Sequence, residues 1–246
     1  MHLKKFDRVV IFGLGGTGSI LAPLVARYLL SQKWGGKLIL IDGDSYSESN
    51  TDRQIFPSKV LNKNKAEVQA MILINHIPAM KDQIEYIDEY IGKDQVNDVV
   101  IDKTIVINCT DNMAARKIIE DRVLSLPTAV HICAGNEMNS GQVQISVRES
   151  GKQITPSIYE LSPVFDSLDD DRSKMSCDQI ASLPSGGQLI MANTMSAALS
   201  LNYLYQLDKP VAGKNIWLPN DMVMFDTRYS NFAQSNTRSP LDLIKI

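Results

Sequence analysis

The stretch "IFGLGGTGS" (11–19) places Gly13, Gly15, Gly16 and Gly18 between an apolar run and an amphipathic one. Where a strand gives way to a helix, such glycines have distinct uses: a tight turn at Gly13, close approach of a phosphate to backbone N–H groups at Gly15 and Gly16, and close helix–strand packing at Gly18. The start of the helix adds a fractional positive charge. Asp42 ends the next apolar run, "KLILID" (37–42), where a carboxylate suits the diol of a ribose. These features point to a nucleotide and leave NAD and ATP both open.

The residues after Asp42 separate the two. "DGDSYSESNTDRQIF" (42–56) carries Asp44, Ser49, Asn50, Arg53 and Gln54, and "NKNKAE" adds Lys63 and Lys65 at the start of a helix pattern. A nicotinamide enzyme needs little here beyond its ribose acid. A concentration of donors fits a triphosphate whose charge grows during reaction. "NCTDN" (108–112) then sets Asp111 at the end of an apolar run. A carboxylate there beside a polyphosphate is a candidate magnesium ligand, or the N-cap of the following helix, or both.

The elements that must hold these groups alternate. "RVVIFG" (8–13), "KLILID" (37–42), "TIVIN" (104–108) and "AVHICA" (129–134) read as buried parallel strands, with helices predicted over 17–30, from Lys65 to Ile77, and from about Asn112 to Leu124. The pattern is α/β: a doubly wound, Rossmann-like, mostly parallel sheet. "GQVQISV" (141–147) alternates as an added strand. Residues 149–176 lose periodicity and are expected to form a long crossover loop carrying the acidic run Asp169, Asp170, Asp171. A helix over 187–206 and short strands at 215–218 and 222–226 complete a mixed C-terminal extension of a single domain, 1–246. The polar stretch "TRYSNFAQSNTRSP" (227–240) reads as a solvated tail or a partner-binding arm.

The chain has 246 residues, a formal net charge of −3 and well-mixed signs, which suggest neither a nucleic-acid face nor a polybasic membrane anchor. No apolar stretch approaches a bilayer span, and no room for a leader precedes Val9, so a soluble, cytoplasmic protein is expected. Its three cysteines, Cys109, Cys133 and Cys177, suit a reducing compartment. None forms a CxxC pair, so no zinc site is expected. Cys109 and Cys133 fall in strand patterns and read as buried spacers, as does His131.

"GLGGTG", the pair Asp42 and Asp44, "SNTDRQ", "NKAE" and "CTDN", in that order, resemble the ubiquitin-activating enzyme superfamily, in particular its bacterial ThiF/MoeB-type members, over roughly residues 8–147. The resemblance implies that Gly16 and its neighbours touch ATP and that Asp42 holds the ribose. It further implies that Ser49, Asn50, Arg53, Gln54 and Lys65 line the phosphates, and that Asp111, beside Asn112, serves magnesium. The implied reaction is adenylation of the C-terminal carboxylate of a ubiquitin-like or sulfur-carrier protein, with release of pyrophosphate, by a homodimer.

Three departures accompany the resemblance. The N-terminal helical segment with its arginine is missing, leaving Arg8 or Lys5 as stand-ins. The two zinc-binding CxxC pairs are absent, as in shortened variants of the family. Cys177, in "MSCDQIASLP", resembles the segment around a thioester cysteine. It reads equally as a nucleophile near a helix start and as a plain small residue there. The small residues Ala192, Ser196, Ala197 and Ser200 suggest a helix capable of close packing between subunits. Outside this family, an NAD-dependent oxidoreductase and an inactive nucleotide-binding partner protein remain the rival readings.

Overall fold

The computed structural model describes residues 2–50, 54, 56–162, 190–208 and 220–235. Strands β1 (Arg8–Phe12), β2 (Lys37–Ile41), β3 (Ile84–Ile87) and β4 (Thr104–Asn108) are parallel and joined by β5 (Ala129–Asn136). β6 (Ser140–Glu149), β8 (Met222–Asp226) and β9 (Asn231–Ser235) continue the sheet antiparallel, and β7 (Lys152–Gln153) pairs with β6. The strand order is β3, β2, β1, β4, β5, β6, β8, β9. The chain therefore winds outward in both directions from the gap between β1 and β4, and ligands bind at such a switch point, beyond the carboxyl ends of the strands.

The central strands are apolar on both faces because both are covered. Val9, Ile11, Leu38, Leu40, Ile105 and Ile107 pack under α1 (Gly16–Ser31), α2 (Lys65–His76) and the long C-terminal helix. Val10, Phe12, Ile39, Val106 and Ala129 pack against α3 (Val96–Val99) and α4 (Met113–Ser125). The doubly wound, mostly parallel sheet expected from the alternation is present.

Three expectations change. Residues 149–162 are not irregular: Gly151 takes a positive φ of 79° in the turn between β6 and β7, and Ser157 then starts α5 (Ile158–Leu161) with a capping box, its Oγ accepting from Glu160 N. The supposed solvated tail begins as a hairpin, β9 pairing with β8 from Met222 opposite Ser235 to Asp226 opposite Asn231. The last long helix, α6, runs Ile190–Asp208, and Ala192, Ser196, Ala197 and Ser200 are buried in its own chain, where α6 packs on α1, β5 and β6. That small-residue stripe serves packing within the subunit and gives no argument for a dimer. The expected strand at 215–218 and the second half of the crossover, 163–176, lie outside the described residues.

Candidate functional site

The glycines divide the work. Gly13 has φ 82°, and a Cβ there would lie 3.0 Å from the backbone of Cys109 and Thr110, so the loop is pressed against the tip of β4. A Cβ on Gly18 would stand 1.8 Å from Gly13 O, which is the helix-on-strand packing expected; Gly18 does not reach the cleft. The Gly16 position faces α6, where Asn193 Nδ2 occupies the place of the missing side chain, 2.1 Å from a built Cβ. Gly15 is the open member, with Gln54 Nε2 as its nearest neighbour at 3.8 Å.

Asp42 braces this loop before it can meet any ligand. Its Oδ2 accepts from Leu14 N at 2.5 Å and its Oδ1 from Asp44 N at 2.8 Å. Burial pushes its carboxyl above the usual range, against the opposing pull of Lys65 and of those two N–H groups. Asn64 caps α2 by accepting from Ala66 N and Glu67 N, and its Nδ2 donates to Asp42 O at 2.8 Å. The cap thereby fixes Lys65, whose buried Nζ stands 3.1 Å from Asp44 Oδ2. The exposed Tyr90 donates its phenol hydrogen to the other Asp44 oxygen and lays its ring over Gly43.

After β4, Asn108 Oδ1 accepts from Thr110 N and Oγ1 and turns the chain outward. The N-cap of α4 is Asn112, accepting from Ala114 N and Ala115 N, so the capping role considered for Asp111 belongs to its neighbour. Asp111 is exposed on the cleft wall.

These groups line one cleft of about 1330 Å³ along the carboxyl ends of the strands. Gly13, Gly15, Gly16, Asp42, Asp44, Asn50, Gln54, Lys65, Asp111 and Asn112 all reach it. Ser49 does not; it is exposed, its Oγ 2.8 Å from Ser47 Oγ. Lys63 is likewise exposed and away from the cleft. Arg53 and Cys177 lie outside the described residues. Arg8 and Lys5 sit at the opposite edge of the sheet, Arg8 donating to Val99 O and Lys5 pairing with Glu149, and neither reaches this cleft.

The volume exceeds the roughly 300–1,000 Å³ of ordinary small-molecule sites, because the cleft continues past β5 and β6 to Met224 and Phe232 of the β8–β9 hairpin. At ~4.8 Å per strand, the four steps from β4 to β9 extend it by roughly 19 Å.

The sequence reading missed four features. Arg116 projects from α4 into the cleft, four residues beyond Asn112, a helical spacing that could have marked it. Tyr90 carries no sequence signal. Asn193 accepts from Thr17 Oγ1 at 3.2 Å and Asn136 Nδ2 at 2.7 Å, binding α6 to the glycine loop across a distance in sequence that no local pattern reveals. Finally, His131 is a core residue as expected, but a polar one: its Nδ1 lies 2.6 Å from Glu120 Oε2, and Glu120 Oε1 accepts from Ile158 N at 2.8 Å. Burial disfavours the imidazolium, yet hydrogen bonds and charge from Cys133 and Glu120 outweigh it and push the ring up to about 9. Burial likewise opposes the Cys133 thiolate, but Arg116 and His131 bring that thiol below its usual value. Cys109 faces the cleft only in part, and burial pushes its thiol up to about 12.

The family model for the ThiF family matches residues 2–238. The chain belongs to the ThiF family. Among individual relatives it is 31% identical over 123 residues to the sulfur carrier protein ThiS adenylyltransferase of Escherichia coli strain K12, covering 50% of this chain and 46% of that one. It is 28% identical over 162 residues to the molybdopterin-synthase adenylyltransferase of Haemophilus influenzae, covering 65% and 62%. The chain thus spans about half to three fifths of the length of these relatives. Among solved structures, Escherichia coli MccB in complex with N-formylated MccA superposes with a TM-score of 0.68 at 19% identity, over 98% of this chain and 68% of that one. That similarity establishes the fold alone. Among the described residues no helix is long and apolar enough to cross a membrane.

Proposed function

We propose that this ThiF-family chain is an adenylyltransferase that activates the C-terminal carboxylate of a ubiquitin-like or sulfur-carrier protein with ATP. The observation that carries the reading is the shape of the cleft. One half gathers the glycine loop, Asp42, Lys65 and Asp111 around the switch point; the other runs on under β5, β6 and the hairpin, with length for about five or six residues of extended chain at ~3.3–3.6 Å each. A dinucleotide would also cross the switch point toward β5; what a reductase leaves without work is Lys65 and Asp111. The two relatives are a sulfur carrier protein ThiS adenylyltransferase and a molybdopterin-synthase adenylyltransferase, in keeping with the reading.

In the proposed reaction a carboxylate oxygen attacks the α-phosphorus of ATP, the bond from that phosphorus to the bridging oxygen of the β-phosphate breaks, and pyrophosphate leaves with the electron pair. No side-chain nucleophile is required, only positioning and relief of negative charge. Asp42, braced by Leu14 N and Asp44 N, presents its edge to the ribose. Gly15 leaves backbone N–H groups open to a phosphate. Lys65, held by Asp44, meets the β- and γ-phosphates together with Arg53, Asn50 and Gln54.

Asp111 supplies an exposed carboxylate on the cleft wall, and the hard oxygen donors there fit magnesium, which takes one or two carboxylates plus phosphate oxygens and water. Magnesium bound there would neutralise the departing pyrophosphate. Cys177 as a thioester acceptor and assembly as a homodimer belong to the same reading.

The test is carrier-dependent exchange of labelled pyrophosphate into ATP. Wild type is expected to exchange, with a loss of at least about tenfold in Arg53→Ala and Asp111→Ala, as expected when a charged contact to the leaving group is removed. Exchange unchanged in both variants would sink the assignment. Thermal protection by NADH and not by ATP with magnesium would transfer it to a reductase.

A further inference from the structure

The cleft holds a cation with no role so far beyond favouring the Cys133 thiolate. Arg116 Nε and Nη2 donate to Thr110 O at 2.9 and 2.6 Å, and Nη2 also donates to Ala134 O at 2.9 Å. These bonds join the tips of β4 and β5 and fix the plane of the guanidinium. Its Nη1 is left over. It lies 3.0 Å from where a Cβ on Gly135 would stand, so the absent side chain is what gives Nη1 its place.

The charges around it are unbalanced. Among the described residues lining the cleft, Asp42, Asp44, Glu89, Asp111, Glu137 and Asp226 face two side-chain cations, Lys65 and Arg116. Lys65 is paired with Asp44, and Asp226 with Arg228, which leaves Asp42, Glu89 and Glu137 among the acids that set the sign of the cleft. Arg116 has carbonyl partners, which orient a guanidinium without neutralising it, and a planar fork held in this way is suited to an incoming oxyanion. An acyl substrate brings such an anion into a lane of like charge beside a polyphosphate, which is where an immobilised cation has the greatest effect.

Position along the sheet decides which oxyanion. The ribose acid Asp42 and Lys65 lie over β2, on one side of the glycine loop, whereas Arg116 spans β4 and β5 on the other, at the entrance to the lane that leads to β9. We propose that Arg116 receives the terminal carboxylate of the acyl substrate and fixes it facing the α-phosphate. The proposal rests on the adenylation reading for its substrate. Arg116 exchanges no proton in the step; it donates hydrogen bonds to the carboxylate while the carboxylate's oxygen bonds to phosphorus and pyrophosphate departs.

The probes are N-acetyl-glycylglycine and its C-terminal amide, titrated by NMR into the full isotope-labelled chain with and without a non-hydrolysable ATP analogue. Wild type is expected to bind the acid about tenfold or more tightly than the amide, the scale of one charge-assisted pair. In Arg116→Met that preference falls to about twofold or less while affinity for the ATP analogue stays within about twofold. Gly135→Ala tests the same contact without removing the charge: its Cβ would stand 3.0 Å from Nη1 and crowd it, and the preference for the acid drops in part. An acid that binds no better than the amide in wild type, or a preference that survives both variants, overturns the proposal. So does a loss of nucleotide affinity in Arg116→Met with the preference kept, since the guanidinium would then belong to the phosphates. Acid preference that depends on Arg116, in a chain showing no carrier-dependent pyrophosphate exchange, leaves this site standing and removes the adenylation reading instead.

Discussion

Lys65 Nζ stands 3.1 Å from Asp44 Oδ2, with its side chain buried and that of Asp44 still half open to solvent. The pair is asymmetric: losing the lysine leaves Asp44 to water, but it also takes from buried Asp42 the charge that opposes its desolvation. Lys65→Met is expected to weaken ATP binding by roughly 10- to 100-fold, the value of one charge-assisted hydrogen bond. Stability should fall as well, by about 1–3 kcal/mol, the scale of leaving a buried polar group without its partner. Calorimetric titration with ATP and chemical denaturation of the same sample separate the two. Unchanged ATP affinity would remove Lys65 from the phosphates.

Gly16 and Asn193 make a second prediction, about packing. A Cβ on Gly16 would meet Asn193 Nδ2 at 2.1 Å, and Asn193 is fully buried with its carbonyl held by Thr17 and Asn136. Gly16→Ala should destabilise the chain by about 1–3 kcal/mol through overpacking. In Asn193→Ala background the same change should cost much less. Additive losses in a double-mutant cycle would mean that the two positions do not compete for that space.

The cap on α4 is worth a separate measurement. Asn112 Oδ1 accepts from Ala114 N at 2.9 Å and Ala115 N at 3.2 Å, so Asn112→Ala should lower stability by about 1 kcal/mol and Asn112→Asp should not. Because Asp111 precedes this cap and Arg116 follows it by one turn, the alanine variant should also lose activity disproportionately. Equal activity with lowered stability would show that the cap serves the fold alone.

The contrast between those two positions shows what the sequence makes legible. The parallel strands, the glycine turn, Asp42 and the helix starts at Lys65 and Asn112 are written in residues close together, where periodicity and capping chemistry are local. Asn193 meets Gly16 only because α6 returns across β5 and β6 to lie on α1, and nothing near either residue encodes that return. The same limit explains the stripe of Ala192, Ser196, Ala197 and Ser200, whose small side chains admit α1 of the same chain and were open to being read as a subunit contact. Ser49 lies away from the cleft for a finer reason: Asn50 turns inward to accept from Ser47 N, and its neighbour is left facing solvent. Strand β8 is expected at 222–226, but its hairpin partner β9 goes unseen because a short polar edge strand has little apolar alternation to show.

The buried pair Glu120 and His131 gives stability a pH dependence with a definite sign. The ring keeps its proton up to about 9 in the folded chain, against 6.5 ordinarily, so its contribution is complete below 6.5 and is lost as pH rises through 9. Cys133, facing the same ring, has a lowered pKa and acts in the other direction: its contribution holds above the ordinary thiol value of 9.0 and fades as pH falls. Arg116 favours that thiolate too, and Ile158 N holds the second Glu120 oxygen. Glu120→Gln removes the charge facing His131 and should cost about 3–5 kcal/mol, as expected when one partner of a buried pair is removed. Its midpoint temperature should then change less between pH 6.5 and 9 than that of the wild type, and in a Cys133→Ser background the fall should shrink as well, since Cys133 supplies part of the upward shift of the ring, while the opposing trend disappears. Parallel profiles for wild type and Glu120→Gln would show that His131 is neutral throughout. The pair would then be a hydrogen bond tying α4 to β5, with no ring charge to carry.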